Sequence, residues 1–303
     1  MSALRDLVAE ELRTAVDPKV SAMAQAIAVK HAPASRAVLF YGSCLRQQQL
    51  DGLMLDFYLI VSDYRSAYPK RWLATANRLV PPNVFYFEHG GLVAKYAVLS
   101  EADFARECGP EAFTVSTAAR FAQPARLVWS ADAQADSRIL DAVTSAAPTL
   151  LDWALPVAGD ESPEAIWKCA FGLTFAAELR AERLDRSSSI VDADPRRYNR
   201  FGLRALQEIA KSRGAGPAGE VLPSMSTARG KRWWKKMQRR GKWYSVARLA
   251  KASFTFAGGV DYIAWKINRH AGTDIQIKPW QRRWPLLAAV SLLPRLLRSG
   301  AVR

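Results

Sequence analysis

Leu39-Phe40-Tyr41-Gly42-Ser43 and, beyond the segment 44–54, Leu55-Asp56-Phe57-Tyr58-Leu59-Ile60-Val61 are the two stretches that decide the fold. The first, starting at Ala37, is short, apolar and β-rich and stops at a Gly-Ser pair; the second is an apolar run bounded by Asp63. Runs of this length between turn residues read as buried, neighbouring strands of one sheet. Asp56 interrupts the second run, and a carboxylate there is costly unless it pairs with a cation or a metal. Gly42 lets the backbone approach a ligand closely and Ser43 adds a donor. Together the stretches offer donors for a polyphosphate and a hard oxygen ligand for the divalent cation that would accompany it.

Outward from this pair, Leu4, Leu7, Val8 and Leu12 recur at helical spacing, and helical patterning continues to about Ile27 with a break at Asp17-Pro18. Tyr68 to Leu79 reads as a helix, Val84–Phe87 and Leu92–Leu99 as a hairpin around His89-Gly90-Gly91, and Ala125–Trp129 as a further strand. From Ala133 onward helical patterns dominate, and the Gly-, Ala- and Pro-rich stretch 214–219 reads as a linker. The expected organisation is an α/β (α+β) body over 1–132, a helical domain over 133–220 and a basic, Trp-rich region over 221–303.

A chain of 303 residues, 50% hydrophobic and 23% charged, can bury real cores, which excludes the disordered, collagenous and mini-protein classes. Cys44, Cys108 and Cys169 are odd in number and widely spaced, with no CxxC pair, so neither a disulfide framework nor a zinc knuckle is expected. His31, His89 and His270 are scattered, and no His is matched to Cys44 as a base for thiol chemistry. The net charge of +15 is concentrated: 18 Lys/Arg and 2 Asp/Glu fall in 221–303, while 1–220 is nearly neutral. Six of the 10 Trp share that basic region.

Gly-Ser followed by an acidic strand resembles the nucleotidyltransferase-superfamily signature. Four ordered blocks narrow the resemblance: Tyr41-Gly42-Ser43-Cys44-Leu45-Arg46-Gln47 with Leu55-Asp56; Ala94-Lys95-Tyr96-Ala97-Val98; Ala119-Arg120-Phe121-Ala122-Gln123-Pro124; and Phe171-Gly172-Leu173-Thr174 through Glu178 and Arg180 to Arg186 and Ile190-Val191. In this order they resemble the mitochondrial-type phosphatidate cytidylyltransferases, the translocator assembly and maintenance family. A fainter echo stands at Ala257–Lys266.

The resemblance implies a nucleotidyltransferase-like mixed sheet with helices and the reaction CTP plus phosphatidate to CDP-diacylglycerol plus pyrophosphate, in which the lipid phosphate attacks the α-phosphorus of CTP. It gives Asp56 the role of ligand to Mg2+ or another divalent cation, assigns the β- and γ-phosphates to Gly42 and Ser43, and makes Lys95 and Arg120 catalytic candidates that steady phosphate. Arg180 and Arg186 are candidates for the lipid phosphate, although Arg180 equally fits a structural ion pair with Glu178. The chain departs from the family's pattern in places. Tyr58 stands where the superfamily signature usually has a second acid, Cys44 where the family has Gly, Gln123 where it has Lys, and Glu178 where it has Asp. Asp51, Asp63 and Glu88 are candidates for the missing ligands. These departures leave room for another phospholipid or a sugar phosphate as acceptor, or for a catalytically weak relative that binds membrane or RNA.

The basic region favours a membrane over nucleic acid. Trp233, Trp234, Trp243, Trp280 and Trp284 are interleaved with Lys and Arg, and Trp prefers the lipid headgroup zone. Leu286, Leu287, Val290, Leu293, Leu296 and Leu297 recur at helical spacing between arginines, the pattern of a basic interfacial helix. A single-strand binder has no need of such a Leu face, so the expected partner is an anionic membrane surface, not nucleic acid. No apolar run reaches the roughly 20 residues of a spanning helix, and the acids in the first twelve residues speak against a signal peptide. The expected location is cytoplasmic and peripheral, on the inner face of a bacterial inner membrane, or on the matrix side of the mitochondrial inner membrane in a eukaryote.

Overall fold

The computed structural model describes residues 2–47, 50, 53–160, 162–178, 190–213, 221–255 and 276–280. Five strands form one mixed sheet: β1 (Ser35–Tyr41), β2 (Met54–Val61), β3 (Asn83–His89), β4 (Leu92–Ser100) and β5 (Ala125–Ser130), in the order β3-β4-β2-β1-β5. β2 and β4 are parallel and the other pairs antiparallel. All five strands expected from the sequence are present.

Helices cover both faces, which is why β2 is apolar at nearly every position. On one face Val38, Phe40, Leu55, Phe57, Leu59, Tyr96 and Val98 pack with α2 (Pro18–Lys30), α4 (Tyr64–Ala67) and α5 (Arg71–Leu79). On the other, Leu39, Tyr58, Ile60 and Leu99 pack with α1 (Ala3–Leu12), α6 (Glu101–Cys108), α7 (Ser116–Phe121), α8 (Ala133–Ala154), α9 (Pro163–Ala177) and α10 (Pro195–Arg213). The break at Asp17-Pro18 is the start of α2: the Asp17 side chain accepts the Lys19 N–H and Pro18 occupies the first turn. The short α3 (Ser43–Gln47) follows β1 directly.

The basic region contributes a 29-residue helix, α11 (Thr227–Thr255), that belongs to the same body. Trp234 is 2% exposed and donates its indole N–H to the Trp153 carbonyl at 2.8 Å, while Met237 is buried beside it. Trp233 is partly buried, its ring 5.2 Å from that of Trp153. The expectation that Trp234 docks on a membrane is therefore corrected: Gly230, Trp234, Met237 and Gly241 form the helix's inward stripe, and a Trp that fills the core cannot also enter lipid. At Gly241 a side chain would run into the Ala177 carbonyl, so the missing Cβ is what lets α11 lie on the end of α9. One apolar core thus runs from Leu4 through the sheet to Met237, across all three expected segments. Among the described residues no helix is long and apolar enough to cross a membrane. The linker 214–219, Trp284, Leu293 and the Leu-rich segment 286–297 lie outside the described residues.

Candidate active site

Register brings the candidate residues into one row. Tyr41 of β1 pairs with Asp56 of β2, and Asp56 pairs with Lys95 of β4, so the three side chains stand side by side on the face that carries α7 and α9. Tyr86 of β3 pairs with Lys95 and extends the row. One pleat deeper lie Leu39, Tyr58 and Ala97.

Gly42 closes β1 with φ of +97°, the left-handed region that favours glycine. A Cβ here would stand 2.8 Å from Asp56 Oδ2, so the backbone passes directly over the carboxylate and then turns into Ser43. Lys95 Nζ lies 3.0 Å from Asp56 Oδ1. That contact is an ion pair without hydrogen-bond alignment, and Asp56 Oδ1 is buried with its hydrogen-bonding capacity unfilled. Lys95 remains almost half exposed, so the pair opens toward solvent on the lysine side.

Arg120, on α7, donates to the Tyr58 hydroxyl at 3.0 Å and lies over the rings of Tyr41 and Tyr58 at 5.4 and 5.9 Å. Burial opposes its charge, but Tyr58, Tyr41 and Glu178 outweigh that cost and raise its pKa well above the usual guanidinium range. Burial also pushes the Tyr41 phenol well up, against the pull of Arg120. Tyr58 thus fills the second acid's position with a hydroxyl-bearing ring that is 1% exposed and serves as hydrogen-bond acceptor for a cation.

The remaining candidates divide clearly. Glu178, just past α9, lies within electrostatic reach of Arg120, Tyr41 and Arg248. Glu88 is on the same sheet face as Asp56, one pleat outward on β3, and accepts a hydrogen bond from the Tyr86 hydroxyl. Asp63 is at the opposite end of β2, where it caps α4 by accepting the Arg65 and Ser66 N–H groups. Gln123 donates to the Ala119 carbonyl at 2.9 Å within its own turn. Burial raises the Cys44 thiol, whose Sγ faces the Met54 carbonyl, which disfavours a thiolate. Arg180, Arg186 and Asp51 lie outside the described residues.

Arg248 is the group that sequence reasoning missed. From α11 it donates to the Pro81 carbonyl at 2.7 Å and to Ser116 Oγ, at the start of α7, at 3.4 Å, and it interacts electrostatically with Arg120, Tyr58 and Glu178. Nothing in a helix of ten cations and no acids distinguishes this arginine beforehand. Lys95 thus stands beside Asp56, and Arg120 and Arg248 lie within electrostatic reach of Glu178, an arrangement in which cations outnumber acids and which suits a polyanion.

Among the described residues no group of three or more His, Cys, Asp and Glu could form a metal cage. A single carboxylate with an unfilled oxygen still fits a hard cation that arrives on a polyphosphate, because Mg2+ commonly takes one or two carboxylates and completes its shell with phosphate and water.

No family model matches the chain, and no curated protein matches it. Among solved structures it is similar to a nucleotidyltransferase-like protein from Exiguobacterium sibiricum, over 93% of this chain and 92% of that one, at 12% identity and a TM-score of 0.28. A likeness at that level leaves the family open, and the functional reading rests on the site itself.

Proposed function

We propose that this protein is a nucleotidyltransferase that transfers the cytidylyl group of CTP to phosphatidate, giving CDP-diacylglycerol and pyrophosphate at a membrane surface. The observation that carries the reading is the packing of the Gly42 turn onto the Asp56 carboxylate, with Lys95 beside it and Arg120 above the next pleat. The Gly42-Ser43 turn binds the β- and γ-phosphates through backbone N–H and the Ser43 hydroxyl. Asp56 would hold Mg2+, which when bound offsets negative charge on the phosphates. Lys95 orients the α-phosphate and stabilises the charge that develops there, and Arg120 neutralises the incoming acceptor phosphate. Tyr58 and Tyr41 position Arg120 by giving its guanidinium an acceptor and two ring faces.

An anionic membrane is the expected partner because the acceptor is a lipid. The outer side of α11 supports that expectation: Lys235, Lys236, Arg239 and Lys242 are exposed, and Trp243 is 76% exposed among them. The test is product analysis by mass spectrometry after incubation with each of the four nucleoside triphosphates, Mg2+ and phosphatidate vesicles. CDP-diacylglycerol from CTP alone is the expected result. A different conjugate when other phospholipids or sugar phosphates are supplied would move the acceptor, and no conjugate at all would refute a transferase.

A further inference from the structure

We infer that the protein meets an anionic lipid bilayer through a composite face built by α5, the loop carrying Phe113 and α11, with Trp72, Leu79 and Phe113 entering the interfacial layer. The inference rests on the lipid-acceptor reading and says which side of the body faces the lipid.

Bulky apolar side chains on this side are turned outward. Leu79 is 66% exposed, Trp72 48% and Phe113 41%. Trp72 and Leu79 are seven residues apart on α5 and so share a face, while Ala74 and Asn77 on the opposite side are buried. Leu79 adjoins α11, because the Tyr244 hydroxyl donates to the Leu79 carbonyl at 3.0 Å. The Tyr244 ring is in turn 4.9 Å from the Phe113 ring, over which the Arg240 guanidinium lies at 4.3 Å. Three elements that are distant in sequence therefore adjoin, each carrying an exposed or half-exposed bulky apolar side chain.

Its charge is of one sign along both helices. Between Asp63 and Glu88 the chain has no acid but carries Arg65, Lys70, Arg71 and Arg78, and α11 has no acid at all. Cations around bulky apolar groups are what an anionic headgroup layer accommodates. A second copy of the chain would bring like charge against like charge, and single-stranded nucleic acid would stack on aromatic rings but make no use of Leu79.

The face is also fixed relative to the site. Arg248 and Lys251 of α11 donate to the carbonyls of Val80, Pro81 and Pro82, directly after α5. Arg248 reaches on to Ser116, in the same short helix as Arg120. A membrane on this side places headgroup phosphates beside the Arg120 end of the site.

The test is flotation of the full-length protein with phosphatidylcholine vesicles, with and without phosphatidylglycerol, for the wild type and the triple variant Trp72→Ser, Leu79→Ser, Phe113→Ser. Wild type is expected to float only with the anionic vesicles, and the triple variant to bind them about tenfold more weakly or worse with its fold retained by circular dichroism. Quenching by brominated lipid, compared between wild type and Trp72→Phe, gives a second readout that keeps an apolar ring in place; part of the quenching should disappear. Variant binding equal to wild type, or quenching unaltered in Trp72→Phe, would overturn the inference. So would a wild type that ignores vesicles while dimerising or binding oligouridine. Turnover on soluble short-chain phosphatidate separates the two ideas. A variant that keeps that turnover but loses vesicles supports this face alone, whereas vesicle loss in a protein with no turnover on any nucleotide sinks the transferase reading and leaves the face standing.

Discussion

Gly42→Ala is the substitution that probes the site with the smallest chemical change. The new Cβ would start 2.8 Å from Asp56 Oδ2, and since ordinary contact begins near 3.4 Å the carboxylate has to retreat by about 0.6 Å. The backbone at φ of +97° is a second obstacle, and an L side chain there costs on the order of 1–3 kcal/mol. Asp56 cannot retreat freely, because it is mostly buried and held beside Lys95. The expected outcome is a loss of about 1–3 kcal/mol in stability together with a fall in kcat approaching 100-fold, the scale on which an ångström of misplacement acts. Chemical denaturation reads the first and pyrophosphate release at saturating CTP the second. A variant with wild-type kcat, whatever its stability, would refute the argument that the turn and the carboxylate act as one unit.

Trp234→Ala should cost about 3–5 kcal/mol, because the ring is 2% exposed and its N–H bond to Trp153 is lost; Trp243→Ser should leave the melting temperature alone and weaken vesicle binding, and the reverse pattern would contradict the orientation of α11. Glu11→Ala strips buried Arg197 of its bidentate partner, leaving the Ala122 carbonyl and the rings of Tyr198 and Phe201 among its contacts. A loss of about 3 kcal/mol or more on denaturation is expected, and a loss below about 1 kcal/mol would show that the pair is not needed. Burial and neighbouring Arg248 lower the Lys251 pKa to about 7, whereas in the unfolded chain it returns to about 10.4. Between those values the unfolded chain holds the extra proton, so stability from this group rises with pH by up to about 1.4 kcal/mol per unit and is lowest below pH 7. Denaturation of the wild type at pH 7 and pH 9 should show that rise, and Lys251→Met should lack it; equal slopes would contradict it.

The sheet was readable because its signal is local. β1 and β2 are apolar, short and bounded by Gly42-Ser43 and Asp63, and burial on both faces explains both runs. Asp56 was conspicuous for the same reason, as a charge in an apolar strand. Its alignment with Lys95 depends on β2 and β4 lying parallel after an excursion through α4, α5 and β3, and no local pattern sets that pairing. Tyr58 looked like a missing acid; its use as acceptor for Arg120 became apparent only with α7 laid across the sheet. α11 misled in a different way. Its interleaved cations and tryptophans suggested that these tryptophans meet lipid, yet Trp234 belongs with Gly230, Met237 and Gly241 to an inward stripe. Composition gives the amphipathic character of such a helix and cannot tell which apolar positions the protein keeps for itself. Likewise the exposed face of α5 carries too few apolar residues to stand out, and it gains meaning from the contact of Leu79 with Tyr244.

The central claim is that Asp56, under the Gly42 turn, serves nucleotidyl transfer from CTP. Pyrophosphate release with Mg2+ and phosphatidate vesicles, measured for the wild type and for Asp56→Asn, tests it most directly. The account predicts CTP-selective release by the wild type and loss of at least about 100-fold in the variant, with its fold and vesicle binding intact. Release that persists in Asp56→Asn, or a wild type that releases pyrophosphate from no nucleotide, would contradict it.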